Sequence, residues 1–222
     1  MKLYIVATPI GNLGDLTARA REVLLAVPLV FAEDTRMTSK LLAHIGATPS
    51  VASLHHHSTP QEIQRAVASL QKAGEAALVT DAGTPGISDP GNFFVHTIAT
   101  QHPEIEISPI PGASCVTAAL SVSGFPTDRF RFMGFAPHKN KRNKFFDEVA
   151  ATEETVVFLE SVHRISKTLQ DVARVAPARQ MLLARELTKI HETLYRGTPA
   201  EVLSQLKAEE TRGEFVIVLA PQ

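Results

Sequence analysis

Short apolar runs alternate along the first half of the chain with segments whose hydrophobic residues recur at helical spacing. Runs at 3–7, 29–32, 76–80 and 105–110 are β-branched, of strand length, and too short for helices. Between the first two, Ala18, Val23, Leu24 and Val27 form one apolar face behind Asp15 or Thr17 as cap, and Pro28 stops the helix. A second helix is predicted at 39–45, ending at Gly46, and a third at 61–73, ending at Gly74. Further helices start near Asn92 and around Ala118, Ala119 and Ser121. Strands apolar at nearly every position, joined by helical crossovers, predict a mostly parallel sheet flanked by helices.

The pattern changes after Gly124-Phe125-Pro126-Thr127. Strands are then expected at 130–135, 155–159, 180–184 and 214–220, with helices at 161–175 and 199–207. Their closer spacing predicts a mixed sheet. The expected organisation is therefore two α/β domains, 1–124 and 125–222. Composition agrees with a folded chain: of 222 residues, 44% are hydrophobic and 20% charged, which excludes disorder as the main state. A net charge of −1 gives no global attraction to nucleic acid or acidic membranes, so any such attraction must be local. One cysteine, Cys115, excludes an intrachain disulfide and a Cys-rich metal site, and fits a reducing compartment. The apolar start is too short for a secretory signal. Residues 107–127 are uncharged, but Pro109, Pro111, Gly112, Gly124 and Pro126 argue against a spanning helix. The expectation is a soluble cytoplasmic protein without membrane contact.

Neither the Walker A pattern nor the dinucleotide-binding glycine fingerprint occurs. The first strand instead runs into Thr8-Pro9-Ile10-Gly11-Asn12-Leu13, either a tight connection or a ligand loop at a strand's carboxyl end. The segment 79–91 is harder to explain by packing. It leaves a strand with Asp81, Gly83, Thr84, Pro85, Gly86, Ile87, Asp89, Pro90 and Gly91 before the next helix. Glycines admit close backbone approach, prolines stiffen the loop, and a carboxylate holds a hydroxyl or an amine. A third element, Pro109-Ile110-Pro111-Gly112-Ala113-Ser114-Cys115, leads into the helix of small residues, which either leave room for a ligand or pack closely on a sheet. His55-His56-His57 invites a metal reading, yet no carboxylate stands at clear ligand spacing, and a polar loop or substrate-side wall is preferred. No metal is expected. Cys115 lacks the third group a nucleophile would need.

These elements, with Phe31-Ala32-Glu33-Asp34-Thr35-Arg36, resemble the tetrapyrrole-methylase superfamily of class III S-adenosylmethionine-dependent methyltransferases. The further motifs Glu160-Ser161-Val162-His163-Arg164 and Ala184-Arg185-Glu186-Leu187-Thr188-Lys189 resemble its branch that methylates small-subunit ribosomal RNA. The resemblance spans almost the whole chain. It implies two α/β domains with S-adenosylmethionine in the cleft between them, and a homodimer. Carried over by motif, the donor site uses Pro9, Asp81, Gly83, Thr84, Ile87, Ser114 and Cys115, with Leu159, Glu160, Ala184 and Glu186 from the second domain. Thr84 stands where tetrapyrrole methylases often carry Asp, a departure toward the rRNA branch.

The implied reaction is 2′-O-methylation of a cytidine in the decoding region of 16S rRNA, within the small ribosomal subunit. Methyl transfer from a sulfonium is an in-line displacement that requires alignment more than a covalent intermediate or a metal. A ribose hydroxyl benefits from a base, for which Glu160, His163, Glu186 and Lys189 are candidates. Each also fits a structural ion pair, and Arg164 and Arg185 can steer phosphate. Residues 129–144 carry six Lys or Arg and no Asp or Glu, interleaved with Phe130, Phe132 and Phe135. The phenylalanines are expected to be buried and the loop cations to reach RNA, giving Arg36, Lys139, Lys141, Arg142 and Arg164 as substrate-binding candidates. Many members of this branch continue beyond the last strand with a helical extension. This chain ends at Gln222 right after that strand, leaving a shortened form or reliance on a dimer surface open. The alternatives are a small-molecule methylase of the same superfamily and a non-enzymatic RNA-binding or assembly protein.

Overall fold

Alternating strands and helices build a first unit, residues 1–114, around one parallel sheet in a computed structural model. The structure describes residues 1–55, 58–89, 91–161 and 163–222, apart from the side chain of Ala208. The order of elements is β1 (Lys2–Val6), α1 (Ala18–Ala26), β2 (Leu29–Ala32), α2 (Thr35–Ile45), β3 (Ser50–Ser53), α3 (Pro60–Ala73), β4 (Glu75–Leu78), α4 (Gly91–Gln101) and β5 (Glu106–Ile110). The sheet order is β3-β2-β4-β1-β5, every neighbouring pair parallel. Strand alternation divides the apolar side chains between two faces. Leu3, Phe31, Leu78 and Ile105 pack with α3 and α4 through Leu70, Phe94 and Ile98, whereas Val6, Val30, Val79 and Ile110 pack with α1 and α2 through Leu24, Leu41 and Ile45.

Local chemistry sets the helix ends. The Thr17 side chain accepts from the Ala20 amide at the start of α1, and Thr59 with Glu62 forms a capping box on α3. Gly46 closes α2 in the left-handed conformation. Strand β3 was not foreseen, because Ser50-Val51-Ala52-Ser53 at the sheet margin has only two apolar positions.

Residues 115–222 form the second unit, beginning with α5 (Cys115–Ser123). It continues with β6 (Phe130–Phe135), α6 (Arg142–Ala151), β7 (Thr155–Glu160), α7 (Ile165–Val175), β8 (Met181–Arg185), β9 (Thr193–Gly197), α8 (Pro199–Gln205) and β10 (Phe215–Leu219). The sheet is mixed, in the order β6-β7-β10-β8-β9, with β6 parallel to β7 and the other pairs antiparallel. The composition shift put the boundary at 124. The units divide instead at 114, because α5 packs on β7, β8 and β10. Phe146, Phe158, Ile165, Leu169, Phe215 and Ile217 centre the core on the sheet face covered by α6, α7 and α8. Arg179 is buried there and donates to the carbonyls of Ala220, Val149 and Glu154.

Helix α6 starts inside the segment read as a solvated loop, since Phe145, Phe146 and Val149 give it an apolar stripe. Phe130 and Phe135 are 41% and 53% exposed rather than buried. They lie on a marginal strand with a register shift between Phe132 and Phe135, where Gly134 takes a positive φ of 67°. Strand β9 was also unforeseen. Among the described residues, no helix is long and apolar enough to cross a membrane.

Candidate active site

In the first unit, β4 and β1 are neighbours whose crossover helices, α4 and α1, lie on opposite faces of the sheet. Such a switch point opens a crevice at the strands' carboxyl ends. Two of the loops singled out by the sequence meet there. Thr8 and Gly83 form an isolated antiparallel bridge, Thr8 N to Gly83 O at 2.9 Å and Gly83 N to Thr8 O at 3.0 Å. Buried Thr8 also donates its Oγ1 to Thr80 O at 3.1 Å, and Thr80 donates to Glu33 Oε2 at 3.2 Å. The third loop joins through Thr84, whose hydroxyl donates to Ala113 O at 3.3 Å. Pro9, Gly83, Thr84 and Ser114 therefore belong to one cluster of loops. A Cβ on Gly112 would stand 3.0 Å from Ala7 Cβ, so glycine is what lets the third loop close against β1.

The long loop is organised by Asp89, a residue the sequence reading did not assign. Its carboxylate accepts from Gly86 N (2.8 Å to either oxygen), Ile87 N (3.2 Å) and Gly91 N (2.9 Å). The Asp-Pro-Gly step ahead of α4 was the available signal. Gly83 and Gly86 take φ of 85° and 88°, leaving Ile87 and Asp81 exposed. One Asp81 oxygen accepts from the Asp34 amide at 3.0 Å. Arg36 forks onto Asp34 through Nε at 3.1 Å and Nη2 at 2.7 Å. That pairing holds the Asp34 carboxyl well below the usual range and offsets the charge Arg36 was expected to offer RNA.

In the second unit, β6, β7 and β8 run in one direction, so their carboxyl ends share one end of the sheet, where β10 begins. Phe215 is opposite both Glu160 and Arg185. The exits carry Lys139 and Lys141 after β6, His163 and Arg164 after β7, and Glu186 and Lys189 after β8. Leu159 and Ala184 lie within strands, paired with Val216. Sequence spacing gave no sign that these three segments come together.

Glu160 is 1% exposed and serves as the hub of an ion cluster rather than as a free base. Its Oε1 accepts from Arg164 Nη2 at 2.5 Å and Ser161 N at 2.7 Å, and its Oε2 from Thr168 Oγ1 at 2.5 Å with Arg142 Nη1 at 3.7 Å. Arg142, expected to reach RNA, is only 6% exposed. Its guanidinium is committed to Asp171 (2.8 Å), Thr168 (2.8 Å) and Pro137 O (3.0 Å), and lies 4.9 Å from the Phe146 ring centroid. Arg142 and Glu160 are buried and Arg164 and Asp171 half-buried, an arrangement that is tolerable because two positive charges meet two negative ones and the polar atoms are paired. Arg131 is likewise engaged, with Glu148, whereas Lys139, Lys141 and Lys144 are exposed.

Lys189 Nζ lies 3.1 Å from both Glu186 Oε1 and Glu214 Oε2, and Glu186 Oε1 also accepts from Glu214 N at 2.8 Å. Burial pushes the Glu186 carboxyl up, but the Glu214 amide and Lys189 outweigh it and hold it below its ordinary value. Burial pulls Lys189 down, and the two carboxylates more than reverse that, so it is held above the usual lysine range. Arg185 donates to the carbonyls of Arg212 and His191, not to Glu186. His163 is exposed. Burial pushes the Cys115 thiol up, which keeps it protonated and a poor nucleophile at neutral pH. Among the described residues, no three His, Cys, Asp or Glu side chains gather into a metal site; His56 and His57 lie outside those residues.

Comparison with known proteins identifies the fold and the family. The pattern of the family described as Tetrapyrrole (Corrin/Porphyrin) Methylases matches residues 2–203. A ribosomal RNA small subunit methyltransferase I of Synechocystis sp. is 46% identical over 98% of this chain and 78% of that protein. The protein of that name from Escherichia coli O157:H7 is 44% identical over 98% of this chain and 77% of its own length, and that from Thermotoga maritima 37% identical over 99% and 98%. Among solved structures, the methyltransferase CobJ superposes with a TM-score of 0.71 at 15% identity, covering 99% of this chain and 93% of that one. A uroporphyrin-III C-methyltransferase from Thermus thermophilus, in complex with S-adenosyl homocysteine, gives 0.67 at 16% identity, covering 99% and 97%. These structures show the fold, and the sequence matches show that the chain belongs to the tetrapyrrole methylases and, within them, to the ribosomal RNA small subunit methyltransferase I family.

Proposed function

We propose that this methyltransferase transfers the methyl group of S-adenosylmethionine to the 2′-hydroxyl of a cytidine in the decoding region of 16S rRNA, on the small ribosomal subunit. The observation that carries the reading is the 46% identity, over nearly the whole chain, to a protein named for small-subunit rRNA methylation. The first unit's loops suit the donor chemically. Exposed Asp81 offers a carboxylate to a hydroxyl or ammonium group, exposed Ile87 an apolar surface, and the positive-φ glycines a close backbone approach. Pro9, Thr84 and Ser114, with Cys115, Leu159, Ala184 and Glu186 of the second unit, complete the assignment by motif. When bound, S-adenosylmethionine supplies a methyl group activated by its sulfonium.

The chain's own task is then to hold a ribose hydroxyl in line and to deal with its proton. Lys189, held as an ammonium ion between two carboxylates, donates hydrogen bonds and does not accept that proton. Glu186, held below its ordinary range, is a weak acceptor. Glu160, placed by motif in the donor set and among the candidate bases, has both oxygens committed to Ser161, Arg164 and Thr168, so it is assigned neither to the donor nor to the proton. His163 is the remaining candidate acceptor, and alignment carries more of the acceleration than proton removal. Exposed Lys139 and Lys141 contact phosphate. A homodimer working in the cytoplasm is part of the same proposal.

The test is transfer of labelled methyl to small subunits lacking 2′-O-methylation, with free rRNA and a tetrapyrrole precursor alongside. Label confined to one ribose and lost in Thr84→Trp supports the proposal. Label in the tetrapyrrole alone, or none accompanied by no donor binding, overturns it.

A further inference from the structure

Two turns at the carboxyl end of the second sheet share one construction. In the first, the Arg142 amide donates to Lys139 O at 3.4 Å, and in the second the Arg164 amide donates to Ser161 O at 3.4 Å. The third residue of each turn takes a left-handed backbone, Lys141 at φ 66° and His163 at φ 70°. Glycine or asparagine accepts that conformation easily. Lysine and histidine carry a Cβ penalty there, so the conformation persists only where its surroundings dictate it. Lys141 also opens α6 without a side-chain cap.

The fourth residue of each turn supplies the constraint. The guanidinium groups of Arg142 and Arg164 both converge on Glu160, the first 3.7 Å from Oε2 and the second 2.5 Å from Oε1. Thr168 bridges the two halves, donating to Glu160 at 2.5 Å and accepting from Arg142 at 2.8 Å. Arg142 further ties the first turn to α7 through Asp171 and to the preceding loop through Pro137 O. One buried carboxylate thus fastens two strained turns whose third residues, Lys141 and His163, are both exposed.

We propose that Glu160 is a positioning residue for the nucleic-acid substrate, holding the Lys141 and His163 turns in a fixed relation so that a cation and an imidazole are presented together to the ribose–phosphate backbone. This rests on the rRNA reading above and assigns Glu160 a role distinct from proton transfer. The ordering cost of both turns is met during folding, leaving less to be lost on binding.

The test uses the full chain carrying Glu160→Gln, compared with wild type by hydrogen exchange, donor calorimetry and subunit methylation over a range of salt. The expected result is at least tenfold faster exchange of the Arg142 and Arg164 amides with core β7 amides unchanged. KM for subunits rises at least tenfold, donor Kd stays within twofold, and the salt slope of subunit binding falls by about one as the Lys141 contact is lost. Arg164→Met, which releases one arm, loosens the 161–164 turn alone and keeps the salt slope; it decides the matter if the Gln variant fails to fold. A wild type that methylates subunits, with both variants matching it in exchange and KM, overturns the proposal while leaving the rRNA reading intact. Donor Kd and subunit KM rising by the same factor overturns it too. A wild type that does not bind subunits removes the rRNA reading and the substrate half of the proposal with it.

Discussion

Removing the carboxylate of Asp89 probes how the 79–91 loop, proposed above to receive the donor, is held before any donor arrives. Its two oxygens accept from three backbone amides, those of Gly86, Ile87 and Gly91, at 2.8 to 3.2 Å. A hydrogen bond contributes a net of about 1 kcal/mol in water, so Asp89→Ala forfeits about 3 kcal/mol of loop organisation. Because the loop lies at the protein's surface, most of that loss falls on the loop itself rather than on global unfolding. Donor binding must then supply the order, and at 1.4 kcal/mol per decade Kd weakens by up to about a hundredfold. Asp89→Asn, which keeps an acceptor oxygen, is expected to lose about tenfold. Titration calorimetry with S-adenosylmethionine reads the affinity, and urea unfolding reads the stability. Affinity of Asp89→Ala within threefold of wild type would mean that the loop is organised without those bonds, and would overturn the prediction.

Other perturbations separate structural from substrate-facing groups. Gly112→Val places a Cβ 3.0 Å from Ala7 Cβ and is expected to destabilise by about 1–3 kcal/mol, read as a lower urea midpoint. Arg142→Met removes the ion-pair partner of half-buried Asp171 and one of the two arginines facing buried Glu160, and should cost about 3 kcal/mol. Lys139→Ala should leave stability within about 0.5 kcal/mol and lower the salt slope of subunit binding by about one. The Glu186–Lys189–Glu214 group has a signed pH dependence. The Glu186 carboxyl is lowered on folding, so its contribution is present above the ordinary glutamate value near 4.3 and is lost as pH falls through the lower folded value. Lys189 is raised, so its contribution is full below the ordinary lysine value near 10.4 and is lost as pH rises through the higher folded one. Urea midpoints between pH 3 and 7 should therefore fall less steeply for Lys189→Met than for wild type.

The parallel first sheet was legible in the sequence, because continuous apolar runs and capped amphipathic segments are local properties that need no partner to be read. The sequence also singled out the 79–91 loop proposed above to receive the donor, since glycine, proline and aspartate at that density are hard to explain by packing alone. Family membership came from the same motifs. Strands β3 and β9 escaped because a marginal strand carries little apolar signal, and α6 because its stripe begins behind a run of cations. The boundary at 114 was decided by α5, whose small residues fit either sheet equally well in sequence and acquire a partner only when it packs on β7, β8 and β10. Tertiary structure alone settled the charges. Arg142 and Lys139 look alike in a basic segment, yet one is buried against Glu160 and Asp171 and the other faces solvent. Whether an ionisable group is a base, a counter-ion or a phosphate ligand depends on which groups lie within about 4 Å of it, and for Glu160, Glu186 and Lys189 those groups include residues 18, 28 and 25 positions away along the chain, a proximity that folding creates and spacing does not encode.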